Sequence, residues 1–400
     1  MKRGEGFLRN MSYQRSIRQE PNNLSPKIKS VTISAPDSTL LIVVAFLVVI
    51  GFLAIFSATA PKCLDEGGNP LQFVIKQFVG LIIGFFGMKY FMNYDYKKLA
   101  SWNTVVMVSV LVALFLVDFT PLGMVVNGAK RWINLGFYQL QPSEFAKPAV
   151  VLLLAHAFRK DANLFDQDKW VKAFFPIIVM AGLTFIQPNL SMVILLGMTT
   201  VVMYMAAGGS VKLFLSCLGT LIMTVIVGLT TIIKPYQLQR LKTWRHPEID
   251  PLGAGYNIIQ SLIAFASGGL WGVGYGGSIQ KLSYLPECHT DFIFAIIAEE
   301  TGFVGCLFVI GLFFTFLYRG FTIAVRCPDM YGKLLATGIT FSITFQAFMN
   351  MSVASSFAPT TGVPLPFISY GGSSLIVSLI MVGILLNISK KRIQNIRDRY

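Results

Sequence analysis

Asp291 is the residue whose type and setting point most directly to chemistry. It closes the run Tyr284-Leu-Pro-Glu287-Cys-His-Thr-Asp291-Phe-Ile-Phe, where an apolar helix continues through Ala298-Glu299-Glu300-Thr-Gly302. Pro286 prevents an earlier helix start, so Thr290 or Asp291 is placed to cap that helix, a carboxylate meeting the positive end of its dipole. The chemical reading of the same position is a carboxylate at a membrane–water boundary that takes a proton from a bound hydroxyl. Glu299 and Glu300 lie two turns deeper, where ionised groups are expensive without partners.

Basic partners for these acids come from other stretches. One reads Asn127-Gly-Ala-Lys130-Arg131-Trp132, followed by Gln141-Pro-Ser-Glu144-Phe-Ala-Lys147. Glu144 and Lys147 sit at i,i+3 and can neutralise each other. The acids near Asp291 also need a base, which predicts a Lys147–Asp291 contact across the bundle. Arg240, Lys242 and Arg245 fall within six residues and suit the grip of a pyrophosphate. Snorkelling to lipid phosphates accounts for the same three bases equally well. The stretch Pro359-Thr-Thr361-Gly-Val-Pro-Leu-Pro366-Phe-Ile-Ser369 combines hydroxyls with rigid prolines, as in a polar pocket or re-entrant turn. Other chemistries are excluded: the three histidines lack metal-ligand spacing, the five cysteines form no CxxC pair, and the glycines at 268–277 follow no strand.

The elements that must position these residues are membrane helices. Of the 400 residues, 54% are hydrophobic and only 13% charged, and mean hydropathy is +0.63. That is about half the charge a soluble surface carries. Spans are expected at about Leu40–Thr59, Leu71–Met92, Ser101–Val117 and Glu144–Phe158. The tract Ala173–Val211, split at Gln187-Pro188-Asn189, holds two more. Leu213–Ile233 and Asp291–Tyr318 follow, and Leu334–Ser389, split at 359–366, holds the last two. The expected fold is an all-α bundle of ten transmembrane helices over 39–389, with tails 1–38 and 390–400. The large loop 234–290 joins helices seven and eight, and its middle has helical periodicity. With both termini inside, the cytoplasmic side carries twenty-three Lys/Arg and nine Asp/Glu, an excess equal to the whole net charge of +14; ten of each sign lie outside. The positive-inside rule favours this orientation, and it makes the basic excess a topology signal rather than a nucleic-acid footprint.

At these residues the chain resembles the SEDS proteins (shape, elongation, division and sporulation; the FtsW/RodA/SpoVE group). The resemblance runs from about Leu40 to Lys391. It is carried in order by Gly128–Ile133, Gln141–Lys147, Gly255-Tyr-Asn-Ile-Ile-Gln260-Ser261, Leu285–Phe294, Glu299–Gly302 and Pro359–Ser374. It implies a peptidoglycan glycosyltransferase of the cytoplasmic membrane that polymerises lipid II, with Asp291 matching the essential loop aspartate as general base. It further implies that Glu144 and Lys147 line a central cavity, and that Gln260, Glu299, Glu300, Thr361 and Ser369 belong to the substrate site. Lys130, Arg131, Arg240 and Arg245, or a divalent cation such as Mg²⁺ or Mn²⁺, would neutralise the leaving pyrophosphate. A class B penicillin-binding protein, other division or elongation proteins and membrane lipid are the implied partners. A lipid II flippase is the rival activity, and an elongation rather than division role the rival assignment. One position departs: Gln187-Pro188 is followed by Asn189 where the family has Asp.

Overall fold

The computed structural model describes residues 30–126, 128–134, 136, 138–159, 167–210, 212, 215, 219, 243–253, 255–360 and 362–394. Most of the expected span Leu213–Ile233, together with Arg240 and Thr361, lies outside them. Ten α-helices are found among the described residues: α1 Ser38–Asp65, α2 Gln72–Asn93, α3 Leu99–Phe119, α4 Pro142–Ala157, α5 Gln167–Ile186, α6 Leu190–Ala206, α7 Tyr256–Gly268, α8 Ile293–Arg326, α9 Met330–Ala354 and α10 Gly372–Ser389. They are not the ten expected spans. The seventh, α7, falls within the 234–290 stretch expected as a loop and is the helix that the periodicity of its middle predicts.

Local chemistry sets the helix ends. Asp37 caps α1 by accepting from Leu40 N at 3.0 Å, and Asp329 caps α9 by accepting from Gly332 N at 2.9 Å. Pro142 opens α4, where its missing N–H costs nothing. Asn189 caps α6 through its side chain, accepting from Met192 N at 3.3 Å. The uncharged residue thus fills the cap that an aspartate would fill.

Six helices, with α3 extended back to Tyr96, are long and apolar enough to cross a membrane; α5 and α6 contribute shorter apolar stretches. In α10, 89% of the apolar window is buried inside the protein, against 22% in α2 and α3. So α10 forms the centre with α9, while α2 and α3 turn much of their apolar surface outward, as lipid-facing helices do. At one end of the bundle Asp37 pairs with Arg319 of α8, Lys391 with Asp95 at 3.1 Å, and Tyr96 hydrogen-bonds Asp329. Ser57 lies twenty residues along α1 from Asp37, about 30 Å at 1.5 Å per residue, which places it one bilayer core away.

The all-helical expectation is corrected in two places. Strand β1 (Ser30–Ile33) pairs antiparallel with β5 (Lys391–Gln394), joining the two tails into one ribbon. In the loop between α3 and α4, β2 (Gly123–Val126), β3 (Ala129–Asn134) and β4 (Gln139–Leu140) form a three-stranded antiparallel sheet. Both segments must satisfy their own backbone groups outside any helix, and strand pairing does so.

A break in α8 shapes the far end. Gly302 has φ +67° and ψ −165°, a conformation that strongly favours glycine. The segment 269–274 docks into the break. Phe303 and Val304 donate to the carbonyls of Gly269 and Leu270 at 2.9 and 3.2 Å, while Val273 and Gly274 donate to those of Glu299 and Glu300 at 2.9 and 3.1 Å.

Candidate functional site

Asp291 lies in the turn leading into α8, half-buried. The cap of that helix is Phe292, which makes no side-chain cap hydrogen bond. Asp291 is therefore not the cap, and neither is Thr290, whose hydroxyl donates back to Glu287 O at 3.1 Å. The backbone continues as a turn, with the Thr290 and Asp291 N–H groups both directed at Glu287 O, and this places Asp291 one residue outside the helix.

The main chain here is held carbonyl by carbonyl. His289 O accepts from Tyr370 N at 2.9 Å, Thr290 O from the Ser369 hydroxyl at 2.6 Å, and Asp291 O from Asn350 Nδ2 at 2.9 Å. Ser369 also accepts from Leu365 N at 2.8 Å, so the 359–371 segment is folded against the aspartate by the same side chain. Gln77 of α2 holds that segment from behind, donating to Ser369 O at 3.2 Å and accepting from Gly371 N at 3.1 Å. His289 packs between Phe73 and Tyr370, with ring centroids 5.0 and 5.6 Å away. Burial pushes its imidazole pKa down and nearby Lys62 adds to this, while Glu287 opposes it. A Cβ on Gly362 would lie 3.3 Å from Arg131 Nη1 and 3.5 Å from Asp291 Oδ2. The guanidinium and the carboxylate thus converge on one small residue of the proline-rich turn.

Lys147 does not reach Asp291. Both Glu144 and Lys147 are buried, and they pair with each other at 2.5 Å; Lys147 Nζ also donates to Gln346 Oε1 at 2.6 Å. The expected cross-bundle contact is corrected because a carboxylate one turn away and an amide on α9 occupy the ammonium group. Glu144 Oε1 has no hydrogen-bond partner among the described residues.

The other predicted residues divide by what they touch. Lys130 Nζ donates to the carbonyls of Thr120 at 2.7 Å and Asp118 at 3.4 Å, at the C-terminal end of α3. Arg131 donates through Nε to Gln187 O at 2.9 Å and through Nη2 to Pro188 O. Both bases therefore serve helix C-terminal carbonyls as well as any ligand. Arg245 is exposed, and Gln260 is half-buried on α7. Glu299 accepts from Ser267 Oγ at 3.3 Å, Ile279 N at 3.1 Å, Gln280 N at 3.3 Å and Ser278 Oγ. Glu300 accepts from Ser57 Oγ at 2.5 Å and pairs with Lys281 at 2.9 Å. These contacts are all with the protein's own residues.

Ser57, Lys281, Gln346, Asn350 and Gln77 were not identified from the sequence. Polar residues isolated within an apolar span were the available signal, most clearly Gln346 and Asn350 at i,i+4 in α9. Among the described residues no three His, Cys, Asp or Glu side chains gather to hold a metal. The donor set among those residues does not fit a protein-held divalent cation. An apolar groove of about 450 Å³ on α8, lined by Phe314, Leu317, Tyr318, Phe321 and Val325, lies toward its Arg326 end, away from Asp291.

A family profile described as cell cycle protein, FTSW_RODA_SPOVE, matches residues 37–394. Stage V sporulation protein E of Bacillus subtilis is 38% identical over 362 residues, covering 89% of this chain and 98% of that protein. A probable peptidoglycan glycosyltransferase FtsW of Trichlorobacter lovleyi is 38% identical over 358 residues, covering 88% and 93%. Among solved structures, a chain from work on structural coordination of polymerization and crosslinking by a peptidoglycan synthase complex superposes with a TM-score of 0.74 at 30% identity, covering 92% of this chain and 99% of that one. The Rod shape determining protein RodA of Thermus thermophilus superposes with a TM-score of 0.65 at 26% identity, covering 95% and 99%.

Proposed function

The chain belongs to the FtsW/RodA/SpoVE family of cell cycle proteins, and from that premise we propose that it polymerises lipid II with Asp291 as the general base. It is a peptidoglycan glycosyltransferase and a multi-pass membrane protein. In the proposed step the 4-hydroxyl of the acceptor GlcNAc attacks the anomeric carbon of the donor MurNAc. The new O–C bond forms as the bond to pyrophosphate breaks, the α-linkage inverts to β, and the hydroxyl proton passes to the Asp291 carboxylate. Undecaprenyl pyrophosphate is the leaving group. It needs charge neutralisation more than protonation. Exposed Arg245 is the base offered to it, with Arg240 from the same stretch and with Lys130 and Arg131 from the 123–140 sheet. Glu144, Lys147, Gln260, Thr361 and Ser369 complete the substrate site. Glu299 and Glu300 build the frame instead, because their oxygens already serve the 278–281 turn.

The observation that carries this reading is the fixed main chain of 289–291, which sets a half-buried carboxylate against the proline-rich turn and the Arg131 guanidinium. Both termini are assigned to the cytoplasm and Asp291 to the outer face of the cytoplasmic membrane. The charge asymmetry supports this, as does the ribbon that brings 30–33 and 391–394 to one end. Division- and sporulation-type relatives favour septal synthesis, with a class B penicillin-binding protein as partner. The test is lipid II polymerisation by purified protein, with and without that partner. Asp291→Asn should cut glycan product by about 10²–10⁴-fold at unchanged protein level. Wild-type polymer from Asp291→Asn would overturn the reading.

A further inference from the structure

Helix α9 carries two fully buried amides one turn apart, Gln346 and Asn350, in a segment otherwise apolar or small. Four residues of spacing put both on one face. Asn350 Nδ2 donates to two carbonyls at once, Asp291 O at 2.9 Å and Val363 O at 2.8 Å. A carboxamide nitrogen has two hydrogens, so both are used. The two acceptors belong to separate segments, 59 and 13 residues away along the chain. Gln346 extends the same face, donating to Pro364 O at 2.8 Å while accepting from Lys147. The neighbouring carbonyls of Val363 and Pro364 and the carbonyl of Asp291 are therefore all held by one stripe of α9.

Asn350 Oδ1 has no hydrogen-bond partner among the described residues. An unmet buried acceptor is costly, so burial and packing alone would favour an apolar side chain here. The two donor bonds are what the asparagine supplies. We infer that Asn350 is a positioning residue for glycosyl transfer, fixing the main chain at Asp291 to the 359–366 turn so that the carboxylate meets the acceptor hydroxyl in register. This rests on Asp291 being the base. Asn350 itself touches neither sugar nor proton. Its effect is on orientation, where a displacement of about 1 Å costs on the order of 10²-fold in rate.

The experiment compares Asn350→Leu, Asn350→Gln and Asp291→Asn with wild type in lipid II polymerisation by the full chain with its transpeptidase partner. It measures kcat, KM, thermal midpoint and hydrogen exchange. Leucine keeps the number and branching of the side-chain heavy atoms and removes both donors. The expected result for Asn350→Leu is kcat lower by about 10–100-fold with KM within about two-fold. Exchange should rise in 287–292 and 359–366 but not within α9, and Asn350→Gln should recover part of the rate. If Asn350→Leu turns over within two-fold of wild type while Asp291→Asn is inactive, the positioning role is overturned and the base reading stands. It is equally overturned if kcat, KM and midpoint fall together with exchange rising along all of α9. If Asp291→Asn still polymerises, the base reading itself fails.

Discussion

Two buried clusters of charge sit near the same end of the bundle and are built on different terms. In one, Glu299 accepts four hydrogen bonds and Glu300 pairs with Lys281 while accepting from Ser57. In the other, Glu144 meets Lys147, and among the described residues its Oε1 accepts no hydrogen bond. Burying a carboxylate is costly in either place, and only the first cluster offsets that cost from within. The difference bears on the proposed roles: Glu299 and Glu300 Oε1 are held by the 278–281 turn and Ser57, as suits a frame, whereas the open Glu144 Oε1 supports the proposed place of that acid in the substrate site.

The largest expected effect strikes the frame. Lys281→Met should destabilise the protein by about 3–5 kcal/mol, read as a lower thermal midpoint in detergent, because Glu300 loses its cation. Next comes the test that would break the comparison. Replacing Glu144 and Lys147 together by Leu and Met should leave the midpoint unchanged or raised, since a buried pair is often replaceable by apolar groups, yet reduce polymerisation by about 10²-fold. Wild-type turnover in that variant would erase the distinction. The matching double replacement of Lys281 and Glu300 by Met should leave stability within about 1–2 kcal/mol of wild type and turnover per folded molecule within about two-fold, because its partners are structural.

Smaller effects sharpen the boundary between the two. His289 is held neutral by burial, so its native pKa lies below its ordinary 6.5. The unfolded chain then binds a proton first as pH falls, and the protein loses stability below about pH 6.5, with full stability above it. His289→Phe should flatten that slope in melts between pH 5 and 7. The smallest change is Asn189→Asp: the cap accepting from Met192 N is kept, so stability should shift by less than about 0.5 kcal/mol.

Much of this was readable in the sequence where one segment holds the whole signal. Apolar runs bounded by charge located nine of the described helices, including the split at Gln187-Pro188-Asn189, and the periodicity after Gly255 located α7. Asp291 stood out because a lone carboxylate opened an apolar run. What escaped depends on acceptors from elsewhere in the chain. The contacts of Lys130 and Arg131 with the carbonyls of Asp118, Thr120, Gln187 and Pro188 were not readable, because main-chain carbonyls carry no residue-type signal. Lys147 was assigned to Asp291 because Gln346 is neutral and does not register in a balance of charges. The strands of 123–140 are too short to show alternation against their hydrophobic surroundings.

The ribbon between Ser30–Ile33 and Lys391–Gln394 also sets an order of events in biosynthesis. The first strand leaves the ribosome some 360 residues before its mate, which at about 5–20 residues per second is a wait of roughly 20–70 s. During that interval every helix from α1 to α10 can insert, while Asp37 awaits Arg319 and the first strand has no edge to join. The clasp between the two tails therefore closes last, after every described helix has been made.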